Sequence, residues 1–323
     1  MSCSYLKPEV LILASRFDLT CDFVVGGLRK RGIPYLRLNS EDLPKCNLSF
    51  KPVHRLLTGQ IEDQTFAIEH NALNAVFYRR PVFLRDYGMP TGEPEDQFSR
   101  IQWAAFIRNL MVFEHARWMN FPAATYLAEH KAFQLAKAAD IGFDVPPTLV
   151  TNSLQELDHV KGSDGLVAAK GLDTVLIRTD TTESFGFTTL EQASHLSVPE
   201  VQLAPVLLQR AIQNKLDLRV TVVGNSVFTV AITSPKGPIE GDWRVRKTGL
   251  EFAPYSLPDD IAERCIHLVQ DLGLMFGAID FALQEDTYYF LEINPTGEWG
   301  WLVDSANQPI DVAIVDTLVS RKE

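Results

Sequence analysis

The sequence lacks the features that mark membrane proteins, disulfide scaffolds and nucleic-acid binders. Its apolar runs, such as residues 10–14 and 220–223, are far shorter than the roughly 20 residues of a membrane-spanning helix. Its four cysteines form no C-x-x-C pair, so neither a zinc site nor a disulfide framework is expected. Lys and Arg number 30 against 41 Asp and Glu, and the resulting formal charge of −11 disfavours binding to a phosphate backbone. We therefore predict neither a membrane partner nor a nucleic-acid partner.

Several sequence motifs of nucleotide and hydrolytic enzymes are also missing. The chain has no G-x-x-x-x-G-K-[ST] phosphate loop, no G-x-G-x-x-G after a first strand, no H-E-x-x-H and no G-x-S-x-G. Its seven histidines show no ligand spacing. A nucleotide enzyme with this sequence would have to hold phosphates with lysines, arginines and a metal ion, because it has no glycine nest.

What is present is the composition of an ordinary globular protein. Apolar residues make up 46% and charged residues 22% of the 323 residues, which excludes disorder and predicts about two domains. Residues 1–9 lack the basic start and apolar run of a secretory signal, so a cytoplasmic location is expected.

The first part of the chain has a βαβ pattern. Apolar runs predict strands at residues 10–14 and 35–38 around a helix at residues 19–31. Apolar residues then recur at helical spacing over residues 95–118. We expect this helix to close a first domain, residues 1–117.

The remaining sequence predicts two further units, residues 118–204 and 205–323, in a chain of the α/β (α+β) class. The first begins with a helix predicted at residues 124–141. The second is rich in β-like runs, of which residues 216–223 and 226–233 are joined by a Gly-Asn pair that is typical of a two-residue hairpin turn.

A second predicted hairpin, residues 278–283 and 288–294, gathers three oxygen-bearing side chains. A turn of about four residues would set Asp280 opposite or next to Glu292, with Asn294 on the same face as Glu292. Like charges that face each other across strands are destabilising, so a positive group must compensate. Two carboxylates and an amide suit Mg²⁺. The alternative is that the acids pair with buried arginines.

Two lysines are candidates for phosphate binding. Lys170 follows the apolar residues 166–169 of a predicted strand, and Lys131 lies in the helix before the Pro146-Pro147 pair. A lysine ammonium can act as a point charge for phosphate. The alternative for each lysine is a solvated side chain.

Two arginines are candidates for binding an oxyanion. Arg219 alternates with Asp217 and Thr221 on one face of its predicted strand, and this polar face lines either a cleft or solvent. Arg244 follows Asp242 by two residues. Guanidinium groups can bind phosphoryl oxygens with a fixed fork, and the alternative is a surface salt bridge.

Together these features resemble the ATP-grasp superfamily, and the whole chain resembles the peptide-maturing ATP-grasp ligases that make graspetides, of the microviridin-synthetase type. The similar segments are residues 37–43 (RLNSEDL), 77–81 (FYRRP), 118–122 (WMNFP), Lys131 with Gln134-Leu135, 142–148 (GFDVPPT), 242–244 (DWR) and 290–299 (FLEINPTGEW).

The resemblance implies an ATP-grasp fold that follows a pre-ATP-grasp domain, and a role for each matching residue. Lys131 and Lys170 would hold the α- and β-phosphates, Gln209, Arg210, Ala211 and Ile212 would form the hinge against adenine, and Asp217 would bind the ribose. Asp280, Glu292 and Asn294 would bind two Mg²⁺ ions, and Arg219 and Arg244 would act as catalytic residues on the transferred phosphate and the tetrahedral intermediate. An acidic peptide would need basic contacts, for which Arg79, Arg80, Arg85, Arg117 and Arg219 are candidates, and Asp242 and Trp243 would also contact the substrate.

The expected activity is ATP-dependent ligation. A peptide Asp or Glu side chain would attack ATP to give an acylphosphate, which a Ser, Thr or Lys side chain would capture as an ester or amide ring in a ribosomal precursor peptide. A homodimer is expected from the resemblance. The alternatives are a ligase for a free amino acid or small acid, and a nucleotide-binding relative without catalysis.

One departure from the family concerns the loop over the phosphates. The family has a glycine-rich loop after its second lysine, whereas residues 170–174 (KGLDT) are predicted to lead directly into the next strand. Gly186 is the candidate replacement.

Overall fold

The computed structural model describes residues 5–79, 93–173, 176–178, 183–246 and 248–320. The strands are β1 (Val10–Ala14), β2 (Tyr35–Asn39), β3 (Asn47–Lys51), β4 (Leu56–Ile61), β5 (Gln64–Glu69), β6 (Ala75–Tyr78), β7 (Arg117–Met119), β8 (Thr148–Thr151), β9 (Leu166–Lys170), β10 (Leu176–Arg178), β11 (Glu183–Phe185), β12 (Thr189–Gln192), β13 (Val206–Arg210), β14 (Leu216–Val223), β15 (Ser226–Thr233), β16 (Glu251–Pro254), β17 (Phe276–Gln284) and β18 (Thr287–Asn294). The α-helices are α1 (Thr20–Lys30), α2 (Pro94–Asn109), α3 (Pro122–Ala128), α4 (Lys131–Ile141), α5 (Val198–Leu203), α6 (Asp259–Asp271), α7 (Gly300–Ser305) and α8 (Ile310–Val319).

The chain opens with a parallel sheet in the order β2-β1-β6-β7. All five residues of β1 are buried, as expected for a strand covered on both faces. The predicted βαβ start is confirmed. The prediction of a helix over residues 95–118 is wrong at its end, because α2 stops at Asn109 and Arg117–Met119 pairs with β6 as the last strand of this sheet.

Two antiparallel sheets form the remainder of the architecture that positions the site. One has the order β12-β9-β13-β8 and the other the order β16-β15-β14-β17-β18. Residues Val223 and Ser226 pair directly, so the Gly-Asn turn between β14 and β15 has the predicted two residues. The turn between β17 and β18 also has two residues rather than about four, because Gln284 pairs with Thr287.

The helix predicted at residues 124–141 is interrupted. Helix α3 ends at Ala128, His130 has an extended backbone, and α4 begins at Lys131. The carbonyl of Ala128 accepts a hydrogen bond from the Gln134 side chain at 2.5 Å, which satisfies a helix-terminal carbonyl that a continuous helix would have paired internally. The break places Lys131 at the first residue of a helix. As predicted, α4 ends at Gly142, whose φ of +94° is a left-handed conformation.

Residues from the two ends of the chain share one hydrophobic core. Apolar residues of β1 and α1 pack with residues of α7 and α8 around Trp299. At the closest approach, a Cβ on Gly27 would lie 2.7 Å from a methyl group of Val315, so α1 and α8 can meet at this distance only because residue 27 is a glycine. Among the helices of the described residues, none is long and apolar enough to cross a membrane.

Candidate active site

The two antiparallel sheets enclose a cleft that continues into a second cleft. The first encloses about 660 Å³ and the second about 880 Å³ when the solvent-open space at their mouths is included. Lys170, Thr188, Arg244 and Glu292 line both clefts. Of the residues predicted for the site, the first cleft is also lined by Gln209, Arg210, Ala211, Ile212, Asp217, Asp242, Trp243 and Asp280, and the second by Lys131 and Asn294.

The predicted pair of carboxylates lies on adjacent strands. Asp280 on β17 is directly opposite Glu292 on β18, and Arg219 on β14 is opposite Asp280 from the other side. An Arg219 Nη1 atom lies 3.2 Å from Asp280 Oδ2. The positive group that cross-strand repulsion required is therefore an arginine on the same sheet, as the alternative to a metal site proposed.

Glu292 is the centre of a charged cluster. Its Oε2 atom accepts a hydrogen bond from Lys131 Nζ at 2.7 Å, and its Oε1 atom accepts one from Arg244 at 3.1 Å. Burial alone would raise the pKa of this carboxyl, but Lys131, Arg244 and Lys170 hold the pKa well below its usual range. Glu292 therefore carries its negative charge throughout the neutral pH range.

Asp280 differs from Glu292 in two ways: its pKa is raised rather than lowered, and one of its carboxylate oxygens has no hydrogen-bond partner. Burial raises the pKa of Asp280, while the nearby Arg219 and Arg244 oppose the increase. Its Oδ1 atom is buried without a hydrogen-bond partner. A buried carboxylate oxygen without a partner is costly unless a ligand completes it.

The donor set fits Mg²⁺. The open oxygen of Asp280, the Glu292 carboxylate and the amide oxygen of Asn294 are hard ligands, and Mg²⁺ in nucleotide sites commonly uses one or two carboxylates together with phosphates. Among the described residues, no group of three or more His, Cys, Asp or Glu side chains is gathered for a metal. A magnesium site here would therefore depend on the amide and on ligand oxygens to complete its coordination.

Lys170 is held against the predicted hinge. Its Nζ atom donates to Gln209 Oε1 at 2.9 Å, and the Gln209 amide donates to the Thr148 hydroxyl at 2.9 Å. Burial lowers the pKa of Lys170 to about 8. The lysine is thus a cation at neutral pH whose charge is lost under mildly alkaline conditions.

This pKa predicts a pH dependence of nucleotide affinity. Because the charged lysine favours phosphate binding, the Kd for ADP should increase about tenfold between pH 7 and pH 9, as the free protein loses the Lys170 proton. Calorimetric titration of ADP at a series of pH values measures it. A Lys170→Arg variant keeps its charge and should show no such increase, and an equal increase in that variant would exclude Lys170 as the source.

Asp217 lies deep in the first cleft. It is 5% exposed, its Oδ1 atom accepts a hydrogen bond from Lys215, and its Oδ2 atom is buried without a partner. Burial raises its pKa to about 6. An open carboxylate oxygen in a cleft can accept a hydrogen bond from a ligand hydroxyl, which is the chemistry predicted for this residue.

The two predicted catalytic arginines are held by different contacts. Asp242 accepts hydrogen bonds from the backbone N–H, Nε and Nη2 of Arg244, so this guanidinium is fixed by a neighbour two residues away. The Arg219 guanidinium lies 5.7 Å from the ring centre of Trp243, a cation–π contact. Trp243 in turn packs against Trp301 at 5.8 Å. No pattern in the sequence indicates this role for Trp301.

Arg79 lies outside both clefts. It is 6% exposed, and its nitrogens donate to the Asp18 carboxylate, the carbonyls of Thr296 and Gly297, and the Glu298 carboxylate. We predicted that Arg79 contacts the substrate, and this burial contradicts that prediction. Arg79 instead connects the N-terminal sheet to the loop after Asn294 through these hydrogen bonds.

The other basic candidates for peptide contact divide between described and undescribed parts of the chain. Arg117 donates to the carbonyls of Thr317 and Ser320, on and just after α8. The predicted substrate contacts Arg80 and Arg85 lie outside the described residues.

The loop after Asn294 is packed closely against β17. A Cβ on Gly297 would lie 2.5 Å from the Cβ of Ala278, and neither atom belongs to a flexible side chain. We expect Gly297→Ala to lower the free energy of unfolding by about 1–3 kcal/mol through overpacking. Urea denaturation measures this loss, and Gly26→Ala, where a Cβ meets nothing within 4 Å, is the matched control that should not destabilise. Equal stabilities of the two variants would contradict this packing.

The segment between the Lys170 strand and β12 contains a separate hairpin. The strand predicted to follow residues 170–174 is β10, Leu176–Arg178, which pairs antiparallel with β11. Gly186 and Phe187 follow this hairpin and line the second cleft. The sequence prediction missed β11 and β12.

Comparison with known structures identifies relatives over the full length of the chain. No protein-family model and no curated protein matches the sequence. The crystal structure of macrocyclase MdnC bound with precursor peptide MdnA, from Microcystis aeruginosa, is 29% identical with a TM-score of 0.79 and covers 96% of this chain and 99% of that chain. A RiPP-associated ATP-grasp ligase from Chryseobacterium gregarium, in complex with ADP and a leader and core peptide, is 25% identical with a TM-score of 0.81 and covers 97% and 98%.

A more distant relative has the same fold. The ATP-grasp ligase PsnB, complexed with a phosphomimetic variant of its minimal precursor, Mg and ADP, is 20% identical with a TM-score of 0.75, and the match covers 97% of this chain and 98% of PsnB. Two antiparallel sheets that face each other across a charged cleft, in a chain similar to these proteins from end to end, define an ATP-grasp ligase. Within that class, the chain groups with the macrocyclases of graspetide biosynthesis, as its sequence motifs predicted.

Proposed function

We propose that the protein uses ATP and Mg²⁺ to close ester or amide rings in a ribosomally made precursor peptide with an acidic core. The observation that carries this proposal is the cluster of four cations, Lys131, Lys170, Arg219 and Arg244, around Asp280 and Glu292, of which Lys170, Arg244 and Glu292 line both clefts. The likeness to MdnC and to the Chryseobacterium ligase, whose structures both contain bound peptides, supports a peptide as the substrate.

The reaction has two steps. A side-chain carboxylate oxygen of the peptide attacks the γ-phosphorus of ATP, the bond to the β,γ-bridging oxygen breaks, and ADP leaves. A hydroxyl or amine of the same peptide then attacks the acyl carbon and loses its proton, and inorganic phosphate leaves. Each ring therefore consumes one ATP, and the peptide loses the elements of water.

The charged side chains supply positioning and charge neutralisation. Lys131 and Lys170 bind phosphate oxygens, and the open oxygen of Asp217 accepts a hydrogen bond from the ribose. Arg219 binds Asp280 and Arg244 binds Glu292, and their positive charges stabilise the negative charge that develops beside the carboxylate pair. When bound to Asp280, Glu292 and Asn294, Mg²⁺ would neutralise phosphate charge. Catalysis of phosphoryl transfer consists largely of such positioning and electrostatic stabilisation, so no nucleophilic side chain of the protein is needed.

The test is intact-mass spectrometry of a candidate precursor peptide, encoded beside this gene and rich in Thr or Ser and in Asp or Glu. The peptide is incubated with the protein, ATP and Mg²⁺ while ADP is measured in parallel, and ATP is omitted in the control. Mass losses of about 18 Da per ring, one ADP for each, are expected. ADP without mass loss would support ligation of a free amino acid or small acid. Nucleotide binding without ADP formation would support a relative without catalysis.

The homodimer and the cytoplasmic location stay predictions. Sedimentation equilibrium of the purified protein tests the first, and cell fractionation tests the second.

A further inference from the structure

A buried glutamine one turn after Lys131 binds the backbone of the strand that carries Glu292 and Asn294. The Gln134 side chain is 3% exposed, so its contacts lie within the protein. Its amide nitrogen donates to the carbonyl of Ile293 at 2.8 Å, and its amide oxygen accepts from the Ile293 N–H at 3.1 Å. Ile293 is the single residue between Glu292 and Asn294.

The position of β18 in its sheet explains why this pair of hydrogen bonds matters. Strand β18 is at the edge of the sheet, and among the described residues its outer backbone pairs with other chain segments only locally, as where the Phe290 N–H donates to the Asp144 carbonyl at 2.8 Å. Elsewhere an edge strand presents backbone N–H and C=O groups that need partners. At Ile293 the Gln134 amide donates one hydrogen bond and accepts another, as a residue of a neighbouring strand would.

The same glutamine couples two groups of the site through its helix. Gln134 and Lys131 lie three residues apart on α4, so they are on neighbouring turns of one face. Lys131 binds the Glu292 carboxylate, while Gln134 binds the backbone next to it. The lysine predicted to hold phosphate and the strand predicted to hold the metal are thereby fixed relative to each other.

A second buried side-chain amide, that of Asn120, binds the backbone on the C-terminal side of Asn294. The Asn120 side chain donates to the carbonyl of Pro295 at 2.7 Å and to that of Phe276 at 2.8 Å. The chain on the far side of Asn294 thus stays anchored to β17 without Gln134. Loss of the Gln134 amide is therefore expected to loosen Glu292 and Asn294 locally without unfolding the sheet.

We propose that Gln134 is a positioning residue, which sets the geometry of Glu292 and Asn294 for the divalent cation and keeps that geometry in register with Lys131. This inference rests on the proposed use of ATP and Mg²⁺. Removal of groups that orient metal ligands typically weakens metal affinity by 10–100-fold, and the Gln134 amide orients two ligands through one backbone.

The test is a Gln134→Met variant, which keeps the length and volume of the side chain and removes its hydrogen bonds. Calorimetric titration of ADP at a series of Mg²⁺ concentrations gives the Mg²⁺ concentration for half-maximal binding. We expect this concentration to increase by at least about tenfold. Measured in parallel, kcat at saturating Mg²⁺ should fall less than the apparent Mg²⁺ affinity, since added metal restores the occupied site.

Leu135→Ala is the matched control on the same helix. Leu135 is 9% exposed in the core, and its truncation removes packing but leaves the amide in place. Both variants should lower the unfolding temperature, whereas only Gln134→Met should change the Mg²⁺ dependence.

The outcomes separate this inference from the proposed function. If the wild-type protein binds no ADP at any Mg²⁺ concentration, the proposed function itself fails. If the wild-type protein binds ADP with Mg²⁺ and Gln134→Met does so at unchanged Mg²⁺ concentrations, the positioning role is overturned and Gln134 is only structural. An equal Mg²⁺ shift in Leu135→Ala would also overturn it, because general loosening of α4 would then suffice.

Discussion

Replacing Glu292 with glutamine is expected to reduce the rate of ADP formation by a factor of about 10²–10³, the size of effect seen when one preorganised electrostatic group is removed. Both carboxylate oxygens of Glu292 are in use, one with Lys131 and one with Arg244. A glutamine can accept with one oxygen only, and its NH₂ group would point at a cation. The substitution thus removes a ligand charge and also releases two of the cations that surround the site.

The same release of cations predicts a second signature in the Glu292→Gln protein. The negative charge of Glu292 raises the pKa of Lys170 against the effect of burial. Removal of that charge should therefore lower the pKa of Lys170 from about 8 to a smaller value. ADP affinity in the variant should then weaken at a lower pH than in the wild-type protein. Titrations of ADP over a pH series measure the difference.

Asp286→Asn is the control for this prediction. Asp286 is an exposed acid in the turn of the same hairpin, so its replacement makes the same change of net charge without touching the cleft. ADP formation by this control should equal that of the wild-type protein. Unchanged ADP formation by Glu292→Gln would mean that the metal assignment at β18 is wrong.

Replacing Arg219 with methionine is expected to lower the free energy of unfolding by about 3–5 kcal/mol, the cost of leaving one partner of a buried ion pair alone. The side chains of Arg219 and Asp280 are 6% and 10% exposed. Without the arginine, Asp280 would be a buried carboxylate with no cation in hydrogen-bond contact. Methionine replaces the apolar stem of the arginine with a side chain of similar length, while the guanidinium contact with Trp243 is lost.

The double variant Arg219→Met with Asp280→Leu tests whether the loss comes from the isolated charge. Replacement of both members of a buried pair by apolar residues is often neutral or stabilising, so the double variant should recover most of the lost stability. Urea denaturation of the four proteins in the cycle gives the coupling free energy. If the double variant is no more stable than Arg219→Met, the isolated Asp280 carboxylate does not explain the loss.

The pH dependence of the Arg219→Met protein provides a further check. Burial already raises the pKa of Asp280 in the wild-type fold, and loss of Arg219 removes an interaction that opposes the increase. A group whose pKa is higher in the folded than in the unfolded state destabilises the fold as the pH rises through these values. The stability deficit of the variant should therefore be smaller at pH 5 than at pH 8.

The part of the site on β17 and β18 could be predicted because it depends on local rules. Alternation along a strand fixes which residues share a face, and a short turn fixes which residues meet across it. The pairing of Asp280 with Glu292 was accordingly found from the sequence, and the structure confirms it. The error in the turn length did not alter the pairing, because Leu283 lies opposite Tyr288 for either turn length. A register shift between Asp280 and Phe281 then brings Glu292, rather than its neighbour, opposite Asp280.

Contacts between distant elements could not be predicted in the same way. The contact of Lys170 with Gln209 requires β9 and β13 to be neighbours, an order that no local pattern encodes. Arg79 appeared to be a free cation at a strand end, and only the packed structure shows that the loop after Asn294 covers it.

Apolar spacing predicted helix wrongly at two places where the backbone forms hydrogen bonds outside a helix. The apolar spacing of residues 124–141 is continuous, yet the helix is interrupted at His130. The Gln134 side chain donates a hydrogen bond to the Ala128 carbonyl at this interruption. Likewise, Trp118 fits a helical pattern but pairs in a sheet, because β6 offers it a strand edge.

The shared core of the two chain ends has a consequence for biosynthesis. Domains generally fold as units, N-terminal first, while the chain is being made. Here the core around Val10, Cys21 and Leu28 is completed by Trp299, and by residues of α8 that the ribosome makes later still. This face of the nascent N-terminal sheet therefore stays uncovered until residues 299–318 have been synthesised, so a chain that terminates earlier would expose apolar surface to aggregation or to chaperones.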